Sequence, residues 1–552
     1  MMMGRKAVAM SRAGSTSVEQ LATVRDTVES IWVAIVLAFV LRAFVLEAFV
    51  IPTGSMAPRL MGKHWQFDCP ACGYHYAFGI PHKPGLAVDI SRPLGGAPSV
   101  CPNCQRRNEF GKAWAYGGDR VLVLKYLYRF REPKAWDVVV FKNPQDNTEN
   151  YIKRLVGRPG QQIELIHGDV FYRDGKDFNG DAVIDEKDFG HPRAAAECPW
   201  RILRKSAKTQ SVMWQVIQDH DYRPAEGTYD PEDVEMPAGK WTPVGGDGWV
   251  LNGQGGRVFA YTGAGQRAEL RFQAPREQFC PNYAYNLAGK GMYDKRTDVS
   301  SDLKLSLVFV PKSSKARVGL HLSSFDDHFR AWVGADGKCV IEHGRADKDG
   351  QVVFTQKNWP FGLIKPLALG RGHEVALMHA DHQVILRVND QEIRTTDAQY
   401  HGTREAIVAA VAAGVPVPTV GIAAEGGPAE LWHIRLMRDV YYTNASRFGE
   451  YGRETIGKGW ATTGHPMVLR KFLTDPDSDE FFVLGDNSPA SKDSRMWDYH
   501  APTLRKGYRM GTVPRYNLIG KAFFVYWPGG YRLPLLKRLP IIPNVGRMRL
   551  IR

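Results

Sequence analysis

Hydrophobic residues follow three textures along the chain. From residue 31 to 51 it reads IWVAIVLAFVLRAFVLEAFVI, apolar on every helical face except at Arg42 and Glu47. A bilayer crossing takes about 20 such residues. The stretch therefore predicts a transmembrane helix, its two charges near an interface where an arginine stem can snorkel. The other reading is a helix buried in a protein core. Arg5, Lys6, Arg12 and Arg25 precede the run and favour a cytoplasmic N-terminus. No small-x-small cleavage site follows it, which predicts a retained signal-anchor with everything after Val50 outside.

A second texture begins at Gly118. DRVLVLKYLYRF, WDVVVFKNP and NYIKRLVGRPGQQIELIHGDVFYRDGK place Val, Ile, Tyr and Phe at period two between Gly-Asp, Asn-Pro and Pro-Gly. This predicts short strands with tight turns, and the texture returns over 480–527 in EFFVLGDN and LIGKAFFVYWP. Residues 199–445 carry the third: roughly ten strand candidates with Gly, Asp and Asn turns, as in a β-sandwich or jelly roll. Within it, Val384 to Thr396 reads strand, Asn-Asp, strand, and predicts a hairpin. By texture the block resembles concanavalin-like or laminin-G-like folds, which does not establish a ligand.

At 552 residues, with 44% apolar and 24% charged, the chain is folded and holds several domains. Its net charge of +14 fits an anionic partner; without a nucleic-acid motif, lipid is expected and nucleic acid is not. Seven cysteines, four of them in two CPxC pairs, are not the usage of a disulfide-stapled domain.

Three separated stretches bear chemistry: PTGSMAP from Pro52, YIKRLVGRPG from Tyr151, and GDNSPASKDSR from Gly485. Together with Gly118-Asp119 and the WDVVVF run from Trp136, they follow the span in the order of bacterial type I signal peptidases. These are membrane-anchored Ser/Lys endopeptidases whose pattern is P-S-G-S-M-x-P-T-L, G-D, a W-D strand, K-R-x-x-G-x-P-G and G-D-N-x-x-x-S-x-D-S-R. The chain closely resembles that family. It departs from it at Arg59, where Thr is usual, and at Ser488, where Arg is usual; both are read as lying beside the catalytic positions.

The resemblance implies that Ser55 is the nucleophile and Lys153 the general base. It implies that Ser491 hydrogen-bonds and orients the lysine, that Asp493 and Arg495 form an ion pair shaping the site, and that Thr53 joins the Ser55 N–H in an oxyanion hole. The chemistry is coherent. A serine hydroxyl needs a base, and a lysine serves once burial disfavours its charged form. Lys153 lies on the apolar strand YIKRLV. No cofactor is expected for catalysis.

Cys69-Pro-Ala-Cys72 and Cys101-Pro-Asn-Cys104 read as a zinc ribbon whose four thiolates hold a structural ion; two disulfides are the alternative. Asp177, Asn179, Asp181, Asp185 and Asp188 stand at the spacing of a calcium loop, although Ala182 replaces its glycine; a solvated acidic turn is the competing reading. The basic, apolar tail 531–552 suits either an anionic membrane surface or a docked segment.

The expected architecture is mainly β: cytoplasmic segment 1–30, transmembrane helix 31–51, catalytic core 52–67, zinc ribbon 68–110, core 111–176, acidic linker 177–198, β-sandwich (jelly-roll or concanavalin-like) 199–445, core 446–530 and tail 531–552. The expected function is removal of signal peptides from exported preproteins. The protein would be single-pass in the cytoplasmic membrane, with its catalytic domain outside and an unidentified ligand for the sandwich. The alternative is a membrane-tethered envelope-binding protein on an inactive peptidase scaffold; a self-cleaving repressor-type protease is disfavoured by the span.

Overall fold

The computed structural model describes residues 23–80, 93–95, 98–224, 238–244, 248–252, 256–263, 267–281, 285, 298–347, 351–355, 361–443, 459–529 and 544–552. Arg5, Lys6 and Arg12, and most of the tail expected at the membrane, lie outside the described residues.

An N-terminal helix occupies 23–40 and ends in a π-helical turn, Leu41–Val45. The chain then becomes strand β1, Leu46–Val50. The expected helix over 31–51 is thus corrected in its last part: Leu46 to Val50 pair antiparallel with Leu124 to Arg120. The reason is alternation at period two: Ala48 and Val50 face outward, while Phe49 packs against an apolar core and Glu47, on the same side, meets Lys125 at 3.2 Å. Among the described residues no helix is long and apolar enough to cross a membrane. The helix nevertheless leaves Ile31, Trp32, Val33, Leu37, Phe39 and Phe44 exposed.

β1 opens an antiparallel sheet with β2 (Arg120–Leu124), β3 (Val138–Lys142), β4 (Asn150–Gly157), β5 (Glu480–Leu484), β6 (Val513–Pro514), β7 (Leu518–Trp527) and β8 (Arg549–Leu550). Their order across the sheet is β1-β2-β7-β3-β4-β5-β6, with β8 also paired to β7. After a long excursion, strand 518–527 therefore returns to insert between β2 and β3, and strand 480–484 extends the sheet beyond β4. Alternation gives the sheet two buried faces: Val138, Val140 and Ile152 on one, Val139, Phe141 and Leu155 on the other. The tail residues Arg549–Leu550 are docked on this sheet.

Among the described residues the excursion contains two further antiparallel sheets of eight strands each, so the roughly ten strands expected there are an undercount. One is centred on Leu303–Pro311 and Ala429–Arg438, the other on Arg317–Ser324 and Val420–Glu425. They face each other across one cluster that includes Leu305, Phe309, Leu377, Leu320, Phe329 and Ile422. The expected hairpin is present as Gln383–Val388 paired with Gln391–Arg394.

Candidate active site

Ser55 sits on the loop after β1. Two backbone tethers fix this loop: Ile51 N–H donates to Asp119 O (2.8 Å) and Met61 N–H to the Asp119 carboxylate (3.1 Å). From the other side, Asn487 N–H donates to Ser55 O (3.0 Å) and the Asn487 amide to Gly54 O (2.9 Å). Lys153 comes from β4, beyond the point where β5 stops pairing at Arg154. That unpaired edge is where the Ser55 loop lies.

Lys153 Nζ is 2.8 Å from Ser55 Oγ and donates to Ile152 O at 3.1 Å. Only 3% of Lys153 is exposed, and this burial pulls its pKa down to about 8 against opposing pulls from Asp493 and Asp486. Thr53 Oγ1 lies 3.5 Å from Ser55 Oγ. Among the described residues the side-chain partners of the Ser55 hydroxyl are Lys153 and Thr53 alone.

Asp493 and Arg495 form a fully buried two-point ion pair, Nε to Oδ1 at 2.8 Å and Nη2 to Oδ2 at 2.7 Å. Among the described residues, Ser491 Oγ is buried without a hydrogen-bond partner, and the hydrogen-bond partners of Lys153 Nζ are Ser55 and the Ile152 carbonyl. Ser491 Oγ is instead pressed towards Gly485, where a Cβ would fall 2.1 Å from it and 2.5 Å from Ser55 O. Only glycine lets the two segments meet.

Ser488, read as a bystander, is engaged too. Its Oγ accepts from Arg495 Nη1 (2.8 Å) and from Thr443 N–H (2.9 Å), and Arg495 Nη1 also donates to Thr443 O (2.5 Å). A small hydroxyl at 488 thus seats the chain returning from the two-sheet block. A second buried pair, Arg154 with Asp486, was missed by the sequence reading: Nε to Oδ1 is 2.7 Å and Nη2 to Oδ2 2.6 Å. The available signal was its place in both motifs, Arg154 beside Lys153 and Asp486 beside Asn487.

A family model described as signal peptidase, peptidase S26, matches residues 113–226 and 460–527. These segments are similar to the S26 signal peptidase family. They hold Lys153, Ser491, Asp493 and Arg495; Ser55 and the four paired cysteines lie before 113. A probable signal peptidase I-1 of Synechocystis is 32% identical over 82 residues, 14% of this chain and 41% of the relative. A signal peptidase I of Rickettsia typhi is 48% identical over 46 residues, 8% of this chain and 17% of the relative. The chain thus spans less than half the length of these curated relatives. A carbohydrate-binding module of Bacillus subtilis matches 36% of this chain and 94% of its own at 12% identity and a TM-score of 0.23.

Ahead of the matched segments, two short hairpins, His64–Asp68 with His75–Gly79 and Ser99–Val100 with Arg107–Asn108, bring Cys69, Cys72, Cys101 and Cys104 together. No disulfide joins them. Cys69 Sγ is 3.6 Å from Cys104 Sγ, and Cys72 Sγ 3.7 Å from Cys101 Sγ. Zinc–sulfur bonds of about 2.3 Å in a tetrahedron give an edge of about 3.8 Å, so this donor set fits a structural zinc. The Asn108 and Asn103 amides point at Cys69 and Cys72 sulfurs (3.7 and 3.9 Å), the outer-shell support such thiolates need.

In the acidic loop the carboxylates of the calcium reading are engaged by nearby backbone. Asp177 accepts from Gly180 N–H, Asp181 from Val183 N–H and Asp185 from Lys187 N–H. Asp188 accepts from Phe178 N–H, the Asn179 amide and Asp185 N–H, closing a capping box. The carboxylates serve the backbone turn by turn, and among the described residues they form no common ligand group.

Proposed function

We propose that this protein is a membrane-anchored Ser/Lys endopeptidase that removes signal peptides from exported preproteins. The observation that carries the reading is the buried Lys153 amine 2.8 Å from the Ser55 hydroxyl. Neutral Lys153 takes the Ser55 proton as Oγ attacks the scissile carbonyl. The Ser55 N–H and the Thr53 hydroxyl receive the developing oxyanion, a kind of donor worth about 2.7–4 kcal/mol. The lysine ammonium then protonates the leaving amine, and water, activated by the same amine, releases the acyl-enzyme. Asn487 and the Asp493–Arg495 pair hold the loop on which this geometry depends.

A lysine base must be unprotonated, so kcat/KM on a preprotein substrate should rise with pH and level off above about pH 8, where Lys153 loses its proton. A profile flat from pH 6 to 10 would remove Lys153 from the role of base. The direct test is cleavage of a preprotein carrying an A-x-A site, dependent on both Ser55 and Lys153.

The apolar side chains exposed along 31–44 support anchoring in the cytoplasmic membrane, with the Ser55 loop held just beyond the anchor on the outer side. The two facing eight-stranded sheets support reading 199–445 as an inserted β-sandwich domain. Cys69, Cys72, Cys101 and Cys104 would hold zinc, which supplies a cross-link and no open coordination position. The purified full chain should then contain one zinc per molecule, lost in Cys104→Ser together with a fall in melting temperature. Elemental analysis showing no zinc in the native protein would reject that assignment.

A further inference from the structure

A cavity of about 350 Å³ opens beside the Ser55 loop. Met56, Leu60, Val138 and Ile551 give it an aliphatic wall, and Arg59, Arg549 and Arg552 give it positive charge. Asp486, the acid that lines it, is taken up by the two-point pair with Arg154. Arg549 leans on Asp119 (3.4 Å) and on backbone oxygens of Arg59 and Arg547. Arg59 is different: its Nε is buried without a hydrogen-bond partner among the described residues. Burial, with Arg549 and Arg154 nearby, pulls its pKa down to about 10 despite Asp486. A half-buried guanidinium crowded by other cations gains when an anion joins it.

The cavity is tied to the nucleophile through two neighbours. Met56 follows Ser55, and Asp486, whose charge acts on both Lys153 and Arg59, precedes the Asn487 that holds Ser55 O. A chain reacting at Ser55 therefore passes the cavity within a few residues. An aliphatic wall ending in a guanidinium suits a short carboxylate side chain.

We infer that Arg59 and its pocket select an acidic residue of the substrate close to the scissile bond. The inference rests on the peptidase reading above. It also gives a purpose to Arg59 standing where the S26 pattern has Thr.

The test uses the full chain in detergent and a matched set of preprotein peptides. Each carries Glu, Gln or Lys at one position from three before to four after the cleavage site. Glu at one of these positions should raise kcat/KM about tenfold over Lys. The ratio should fall towards one in Arg59→Thr and be kept in part in Arg59→Lys; a ratio taken within one variant is unaffected by loss of folded enzyme. Ser55-dependent cleavage without any Glu preference in the wild type would overturn the inference and leave the peptidase reading standing. Absence of Ser55-dependent cleavage would instead remove the peptidase reading itself. Unchanged peptide ratios in Arg59→Thr, with lost binding to phosphatidylglycerol vesicles, would reassign the pocket to a lipid phosphate and equally overturn the inference.

Discussion

Ser55→Ala and Lys153→Ala are each expected to lower kcat/KM for preprotein cleavage by a factor on the order of 10⁴–10⁶. The two losses should not add, because nucleophile and base act as one unit. Ser55→Ala removes the attacking oxygen. Lys153→Ala leaves that oxygen in place with Thr53 as its other side-chain neighbour, a hydroxyl that is no base at neutral pH. Lys153→Arg is the sharper variant. It keeps a cation of similar reach, but a guanidinium stays protonated even when buried, so it should be as inactive as the alanine. Neither alanine variant should unfold the protein: losing the lysine relieves a buried ammonium, and Ser55 is held through its backbone by Asn487. Activity retained within tenfold in either variant, measured by the appearance of the mature N-terminus, would end the Ser/Lys mechanism.

What the sequence makes legible is what local pattern encodes. Period-two alternation marks the strands, a CPxC turn marks two sulfurs on one knuckle, and ordered motifs put Ser55 and Lys153 on segments that the fold brings to 2.8 Å. What stays hidden depends on which edges meet. Arg154 and Asp486 stand 332 positions apart, and nothing local distinguishes their pairing from two surface charges. Ser488 looks like a loss of the usual arginine until Thr443, arriving from the two-sheet block, fills the space. The acidic loop shows the converse: spacing fits a cation, but in the fold backbone N–H groups engage the same oxygens. The run 31–51 is apolar enough to look uniform, and only the β2 edge tells Leu46–Val50 to become a strand.

The same hidden logic joins the two-sheet block to the sheet that carries Lys153, and Lys205→Met should expose it by costing about 3–5 kcal/mol of stability. Lys205 Nζ is buried among carboxylates from separate elements. It contacts Asp381, in the turn between two strands of the block, and Asp439, where the chain leaves it, the latter at 2.9 Å. Asp169, from the four-stranded sheet that also carries Gln161–Ile166, and Asp302 complete the group. His379 relieves Asp302 at 2.9 Å. Burial first, then Asp302 and Asp381, push the Asp169 carboxyl well above its usual range, so the cluster has no negative charge to spare. Burial opposes the Lys205 charge, but Asp381 and Asp439 outweigh it and hold the ammonium. Methionine keeps the volume and deletes the cation, leaving Asp381 and Asp439 buried without it. The ammonium also sits over the Trp136 ring (5.1 Å), and the Trp136 carbonyl accepts from Arg154. Denaturant melts of the full chain should therefore show destabilisation of the transition that unfolds these sheets. Lys205→Met combined with Asp381→Asn and Asp439→Asn should recover most of it, because the neutral amides remove the uncompensated charge. A single variant that melts within 1 kcal/mol of wild type would mean the carboxylates reach water or protons on their own, and that Lys205 does not hold the block to the core.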